Sequence, residues 1–595
     1  MPLSAQRKTV ARTIPRLRLL LAAVALAVMA RSTPAAQPEG PAPAAPPNVI
    51  LVITDDQGYG DVAAHGNTMI RTPNLDELHA RSVRLTNFHV DPTCAPTRSA
   101  LMTGRYSCRV GVWHTIMGRS LLRRDEVTLA DLFAASGYRT AMFGKWHLGD
   151  NYPYRPQYRG FQEVLCHGGG GVGQTPDFWG NDYFDDTYFH NGKPEKFTGY
   201  CTDIWFDGAM RFVEANRKGP FFVYLATNAP HGPYLVAPEY SEPYVARGVP
   251  RPMAEFYGMI TNIDDNMNRL QRKLIELGLA ENTLLIFMTD NGTAAGVAGN
   301  QKEGETGWKG FNAGMKGQKG SEYDGGHRVP CFFHWPGGGL AGGRDVDRLT
   351  AHVDILPTLA EICGLAVPEA VALDGSSLVP LLAGPTNDWP ERTLFVESHR
   401  IDHPEPWRQS AVMTQRWRLV DGQELYDMVE DPGQAKNVAG ENAEVVKQLR
   451  VAYERRYADV SRRFAEYCPI VIGAEQENPT TITAHDWHAE QVPWNHEQIR
   501  KMPYQNGFWA IDVARPGKYR FTLRHQPAQA TFALEAKTAR LKIGETEATQ
   551  PVPAGATAVS LEVELKQGET RMQTWLTNED GKERGAFFID VLRLP

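Results

Sequence analysis

The apolar positions of this chain gather into short unbroken runs, with longer amphipathic stretches between them. Residues 48–54 (NVILVIT), 138–143, 221–227 and 284–289 are continuous and β-prone, the text of strands buried on both faces. Residues 127–136 (VTLADLFAAS, closed by Gly137) and 255–277 instead space their apolar positions as helices do. Strands alternating with helices predict an α/β domain over residues 48–390, its mainly parallel sheet covered by helices on both faces. Two β-prone segments, 394–397 and 417–420, then lead to a charged helical stretch that ends near residue 466. Beyond Cys468, six short β-prone segments (508–513, 517–524, 539–543, 558–564, 571–576 and 587–592) are separated by turn residues. Their spacing predicts an accessory β-sandwich over 467–595.

Ahead of the first strand, Arg7, Lys8, Arg12, Arg16 and Arg18 come without an acidic residue. An apolar run follows from 19 to 30, then small residues around Pro34-Ala35-Ala36. That order predicts a signal peptide over 1–36, its apolar run too short to span a bilayer, and a Pro/Ala-rich linker over 37–47. No cysteine stands near the cleavage point for lipid attachment, so the expected location is periplasmic or secreted, with no membrane span in the mature protein. At 595 residues the chain exceeds a single core. Its formal charge is −7, and cleavage would remove six basic residues, the five above and Arg31. That acidic balance argues against nucleic acid or an anionic membrane as partner. Seven cysteines are scattered with no C-x-x-C pair, which leaves any disulfide connectivity open and offers no thiolate metal site.

Two of the predicted strands end in oxygen-rich pairs, Asp55-Asp56 after the first and Asp290-Asn291 after 284–289. In a parallel sheet such positions meet along one crevice. Four oxygen donors there suit a hard divalent cation, although for each pair alone an Asx turn or helix cap is the favoured reading. Cys94, beside Pro96, reads alone as a small buried residue or half of a disulfide. Lys145 and His147, two apart, share one face of an extended segment.

Together these elements resemble one family. Cys94-Ala95-Pro96-Thr97-Arg98 with Leu101-Met102-Thr103-Gly104-Arg105 resembles the signature C-x-P-[ST]-R-x-x-L-x-T-G-R. That signature belongs to the type I, formylglycine-dependent sulfatases, arylsulfatase-like members of the alkaline phosphatase superfamily. In that family a modification enzyme oxidises the cysteine to formylglycine. One hydroxyl of the hydrated aldehyde attacks sulfur, and the other expels sulfate from a covalent sulfate hemiacetal. The resemblance implies this chemistry for Cys94, with a formylglycine-generating enzyme as partner. It implies Ca2+, in some members Mg2+, bound by Asp55, Asp56, Asp290, Asn291 and the modified Cys94.

Gly137 to His147 (GYRTAMFGKWH) resembles the second signature of the family, with Phe143 where a small aliphatic residue is usual. Asn228-Ala229-Pro230-His231 resembles its "aPH" element. Met315-Lys316-Gly317-Gln318-Lys319-Gly320, ahead of Asp324-Gly325-Gly326-His327-Arg328-Val329-Pro330, resembles its lysine element, with Asp324 in place of glutamate. Registering on the glycine pair makes Lys319 the active-site lysine and Lys316 the reserve. By resemblance, Arg98, Lys145 and Lys319 neutralise the sulfate oxygens. Asp290 takes the proton of the attacking hydroxyl, His231 with Lys319 protonates the departing alcohol, and His147 drives release of sulfate. "ELYDMVEDPGQAKNVA" resembles the family's C-terminal text, which implies a small antiparallel sheet plus helix over 391–466.

The implied function is an exported sulfatase acting on sulfate monoesters of carbohydrates, or on aryl sulfates. Two alternatives share parts of this reading. One is a formylglycine-dependent phosphonate monoester or phosphodiester hydrolase; the other is a non-catalytic protein that binds sulfated glycans. Trp113, His114, Arg123, His399, Arg400, His403 and Trp407 are candidates for the pocket rim, where basic and aromatic groups suit a sulfated sugar.

Overall fold

The computed structural model describes residues 46–297, 309–385 and 388–595. The expected signal peptide, and the linker up to its last two residues, lie outside the described residues. The main sheet has ten strands: Asn48–Thr54 (β1), Val83–Leu85 (β2), Arg139–Gly144 (β3), Glu163–Cys166 (β4), Thr187–His190 (β5), Lys193–Lys196 (β6), Phe221–Ala226 (β7), Thr283–Thr289 (β8), Cys331–His334 (β9) and Arg344–Val346 (β10). Their spatial order is β10-β2-β9-β8-β1-β7-β3-β4-β5-β6. The central five strands, β8 to β4, are parallel. Both flanks turn antiparallel where β9 meets β8 and β2, and where β5 meets β4 and β6.

Alternation across the pleat explains why the central strands read as unbroken apolar runs. Val49, Leu51 and Ile53 enter one core with the helices Cys94–Thr103, Leu129–Ala135 and Ile355–Cys363. Ile50 and Val52 enter the opposite core with Cys201–Asn216 and Arg251–Glu276. A strand covered on both faces has no position where a polar side chain reaches water. Phe143, the departure from the family pattern, is buried towards Cys201–Asn216, where Gly208 leaves room for its ring. Helix Arg251–Glu276 starts ahead of the sequence expectation, because Pro252 sits in its first turn, where no donor is needed. The edge strand Lys193–Lys196 is fully exposed, and its lysines and proline keep it from pairing with another chain.

A second, four-stranded antiparallel sheet (Leu394–Glu397, Ser410–Met413, Trp417–Val420, Glu424–Asp427) follows. It packs on helix Ala443–Val460 through Val412, Leu419 and Leu425 against Leu449 and Tyr453. Phe88–His89 and Thr350–Ala351 pair as a small two-stranded sheet, and the strands from Ile470 onwards form a six-stranded and a four-stranded sheet around Trp487, Trp509, Tyr519 and Phe521. That core does not stop at its own sheets: Met117, Leu121 and Tyr154 of the α/β part belong to it. Residues 46–595 are accordingly one compact unit. All seven cysteines are unpaired and buried. Among the described residues, no helix is long and apolar enough to cross a membrane.

Burial in the C-terminal core has a measurable pH consequence. His525 is buried with neither ring nitrogen bonded, and burial, then Arg584, hold its imidazole down at about 3. An unfolded histidine titrates near ~6.5, so between the two values the unfolded chain binds a proton that the folded chain refuses. Stability from this group is therefore complete above about 6.5 and falls as pH drops towards the folded value. Relative to His525→Gln, wild type is expected to lose on the order of 2 kcal/mol of urea-unfolding free energy between pH 7.5 and 5. A pH-independent difference would contradict this account.

Candidate active site

Four chain segments leave the central strands at their carboxyl ends and converge. Asp55-Asp56 follows β1, Lys145-Trp146-His147 follows β3, Asn228 to His231 follows β7 and Asp290-Asn291 follows β8. The register pairs Thr54 with Thr289 and Gly144 with Ala226, which puts these ends level with one another. Gly144 permits the closest approach: it has φ +103, and a Cβ there would meet the Ala226 carbonyl oxygen at 1.9 Å. Lys145 N–H then donates to that same oxygen at 2.7 Å, so the lysine leaves the sheet in a fixed direction.

Cys94 opens the helix Cys94–Thr103, is 3% exposed, and its thiol is pushed up by burial, against which Lys145 and Lys319 pull. One turn on, Arg98 is fully buried. Its Nη2 and Nε donate to Asp290 Oδ2 at 2.8 and 3.0 Å, and Nη1 donates to the Lys145 carbonyl at 3.1 Å. Arg98 thus ties the cysteine helix to two of the converging segments, and its donors are directed at protein groups. Asp290 Oδ1 accepts from Asp56 N–H at 3.1 Å. Lys145 Nζ lies 2.5 Å from Asp55 Oδ2, and Lys319 Nζ lies 2.6 Å from Asp56 Oδ1. Lys316 is elsewhere, donating to Tyr426 and lying over the Tyr323 ring. Asp324 is held by Arg418 at 3.0 Å, which anchors the turn carrying Gly325 and Gly326.

The donor set fits a hard divalent cation. Asp55 Oδ1 and Asn291 Oδ1 are buried with no hydrogen-bond partner, and the ligand atoms of Asp55, Cys94 and Asp290 lie within 4.8 Å of one another. Asn291 donates from Nδ2 to Asp56 Oδ1 at 3.0 Å, which leaves its oxygen free. Three carboxylates are matched by Arg98, Lys145 and Lys319, yet burial, then Asp290, hold the Asp55 carboxyl well above the usual range. Burial works the same way on Asp56, but Lys319, His231 and Lys145 outweigh it and depress that carboxyl. Buried carboxylate and amide oxygens left without a hydrogen-bond partner suit Ca2+ or Mg2+. Two other buried groups, His89/Asp324/His327 and Cys108/Glu397/His399, each contain a carboxylate already held by an arginine.

Both histidines have their tautomer set by a carbonyl. His147 Nε2 lies 2.8 Å from Thr115 O and so carries the proton, while its buried Nδ1 has no partner. Burial, then Lys145, hold this imidazole well below its ordinary value. His231 Nδ1 lies 2.7 Å from Gly232 O, which leaves Nε2 facing Asp56 Oδ2 at 3.9 Å. Burial, then Lys319, bring His231 down to about 4. Sequence reasoning missed the supports of these rings. Gly170 packs on the His147 ring, and Gly171 approaches His231 Nδ1. The run Gly168 to Gly171 straight after β4 was the available signal. His485, with its ring 6.4 Å from that of His147, had none.

Of the rim candidates, Trp113 packs on Phe464, Trp407 stacks on Tyr453, and Arg123 donates to the carbonyls of Arg109 and Arg463. These three are packing residues. His399 is buried beside Glu397, and His403 lies by Asp402. His114 and Arg400 do line an open cleft.

Comparison with known proteins agrees with this geometry. Residues 47–365 match the family described as "Sulfatase", and residues 317–459 match "N-sulphoglucosamine sulphohydrolase, C-terminal". Residues 460–595 lie beyond both matches. Arylsulfatase A of Homo sapiens is 31% identical over 473 residues, covering 69% of this chain and 88% of that protein. N-acetylgalactosamine-6-sulfatase of Homo sapiens is 30% identical over 367 residues, covering 58% and 67%. Among solved structures, Ps i-CgsB in complex with k-i-k-neocarrahexaose superposes with a TM-score of 0.63 at 28% identity, covering 71% of this chain and 95% of that one. The fold alone is shared with a phosphonate monoester hydrolase of Agrobacterium radiobacter, at a TM-score of 0.50, 22% identity and coverage of 70% and 96%. A family match that spans more than half of the chain, beside relatives that cleave sulfate esters, shows that the chain belongs to the sulfatase family and is a sulfuric ester hydrolase.

Proposed function

We propose that this protein is an exported sulfatase that removes sulfate from carbohydrate sulfate monoesters through a formylglycine made from Cys94. The observation that carries the reading is the convergence on Cys94 of a cation-fitting oxygen cluster, two lysines and two histidines. Formylglycine supplies a hydrated aldehyde with one hydroxyl to attack sulfur and a second to expel sulfate, and a bound divalent cation supplies charge neutralisation. Asp55, Asp56, Asp290 and Asn291 would hold Ca2+. Lys145 and Lys319 bring positive charge to a doubly repelled encounter between an anionic ester and an oxygen nucleophile. Arg98 acts one step back, holding Asp290 and the Lys145 backbone in place.

The two histidines divide the proton work. His147, with Nδ1 unbonded and Nε2 locked on Thr115, presents a lone pair positioned to accept a proton. His231 is neutral in the free site. An anionic sulfate seated against Lys319 and Nε2 would raise it, so the proton for the departing alcohol arrives with substrate. A carbohydrate substrate is supported by the carrageenan oligosaccharide bound to Ps i-CgsB and by the sugar sulfatases among the relatives. Export is supported by the basic-then-apolar N-terminus.

The test uses protein whose Cys94 conversion is verified by mass. It is expected to turn over 4-nitrophenyl sulfate faster than the matching phenylphosphonate and phosphodiester; preference for phosphorus would overturn the reading. Exhaustive chelation is expected to reduce turnover at least about 100-fold, with recovery on adding Ca2+. Full activity after verified metal removal would exclude the cation from the proposed chemistry.

A further inference from the structure

The C-terminal part of the chain, beyond both family matches, packs against the segments that support the two histidines. A cleft of about 600 Å³ opens there, within the ~300–1,000 Å³ typical of small-ligand sites. One wall is the strap from His114 to Met117, whose Thr115 carbonyl fixes His147. The opposite wall is the segment 490–505. Its Trp494 carbonyl accepts from Thr175 N–H at 3.0 Å, and Asn495 pairs with Gln174, which in turn accepts from Gly170 N–H at 2.8 Å. The cleft therefore adjoins the supports of both proton-transferring histidines. The strap is itself held from the far side, since Met117 N–H donates to the His485 carbonyl at 2.9 Å and Gly118 lies against the His488 ring.

The lining has the chemistry of a sugar site. Trp494 is 37% exposed, an indole face open to the cleft. Gln505 Nε2 donates to Gln491 Oε1 at 3.1 Å, and Gln505 Oε1 is buried without a partner. Arg400 is exposed at one end and, among the described residues, has no carboxylate within bridging distance, whereas Lys501 is already engaged by Glu497 at 2.6 Å. Aromatic face, primary amides and one free guanidinium together match a pyranose ring bearing hydroxyls and an anionic group. We propose that this cleft is a glycan subsite, seating a neighbouring sugar of a sulfated oligosaccharide with Trp494 against its ring and Arg400 on its sulfate or carboxylate. The inference rests on the sulfatase reading and adds the recognition of substrate away from the reacting sulfur.

The experiment compares kcat/KM on 4-nitrophenyl sulfate with that on sulfated hexasaccharides from carrageenan, chondroitin sulfate and heparin. Wild type, Trp494→Ala, Trp494→Phe and Arg400→Ala, all with verified Cys94 conversion, are assayed. Wild type is expected to prefer one hexasaccharide. Trp494→Ala and Arg400→Ala are expected to lower the ratio of hexasaccharide to aryl-sulfate kcat/KM about tenfold or more, mainly through KM, with most of the ratio recovered in Trp494→Phe. An unchanged ratio in both alanine variants, or equal losses on both substrates, would overturn the subsite. So would a wild type that turns over aryl sulfate but no hexasaccharide faster, while leaving the sulfatase reading intact. A wild type inert on every sulfate ester would remove that reading and the subsite with it.

Discussion

Cys94→Ala is expected to fold and to lose turnover by about 10⁴-fold or more. The side chain is small, buried and in no disulfide, so its removal changes stability by about 1 kcal/mol. The loss is chemical. As encoded, Cys94 offers a thiol that burial pushes away from ionisation, and a thiol has no second hydroxyl with which to expel sulfate. Protein with unconverted Cys94 is accordingly expected to be as inactive as the alanine variant, at unchanged thermal midpoint. Paired assays with mass spectrometry of the Cys94 peptide check this: activity should scale with the converted fraction. Turnover near wild type in either form would end the formylglycine account.

Arg98→Met carries the second large effect, and its signature separates two roles. If Arg98 only neutralised substrate, its loss would raise KM and leave the fold untouched. The guanidinium is instead fully buried and spends its donors on Asp290 and the Lys145 carbonyl. Removing it strands a buried carboxylate, which costs about 3–5 kcal/mol, and frees the cysteine helix from the strand ends. Arg98→Met should therefore lose stability in urea unfolding and activity together. Arg98→Lys should recover part of the stability and little of the activity, since an ammonium cannot reproduce the two-pronged grip. A Met variant with wild-type stability would show that Arg98 faces substrate after all.

What the chain reveals before folding follows the range of the interactions involved. The central strands were legible because burial on both faces leaves each as an apolar run, and Asp55, Asp56, Asp290 and Asn291 stand just past the ends of two such runs. The residues proposed as catalytic were chosen through family text, and the structure places Lys319 against Asp56 and Lys316 against Tyr426. The strands Thr187–His190 and Lys193–Lys196 went unread because edge strands carry polar side chains. Trp113, Arg123 and Trp407 were read as rim groups on residue type, yet each is absorbed by a partner distant in sequence. The supports of His147 escaped for the same reason: Thr115 acts through its carbonyl and His485 through the backbone, and neither leaves a mark in a side-chain pattern.

The tie between Met117 and His485 also orders events in time. A chain made from its N-terminus completes β1, β3, β7, β8 and β9 with residue 334, and with them the oxygen cluster and both lysines. The strap that steadies His147 gains its anchor at Met117 only once residue 485 has been made, and with it the sheets that pack on Met117, Leu121 and Tyr154. In order of synthesis, every residue of the proposed cation site therefore precedes the anchor that fixes the proposed proton acceptor.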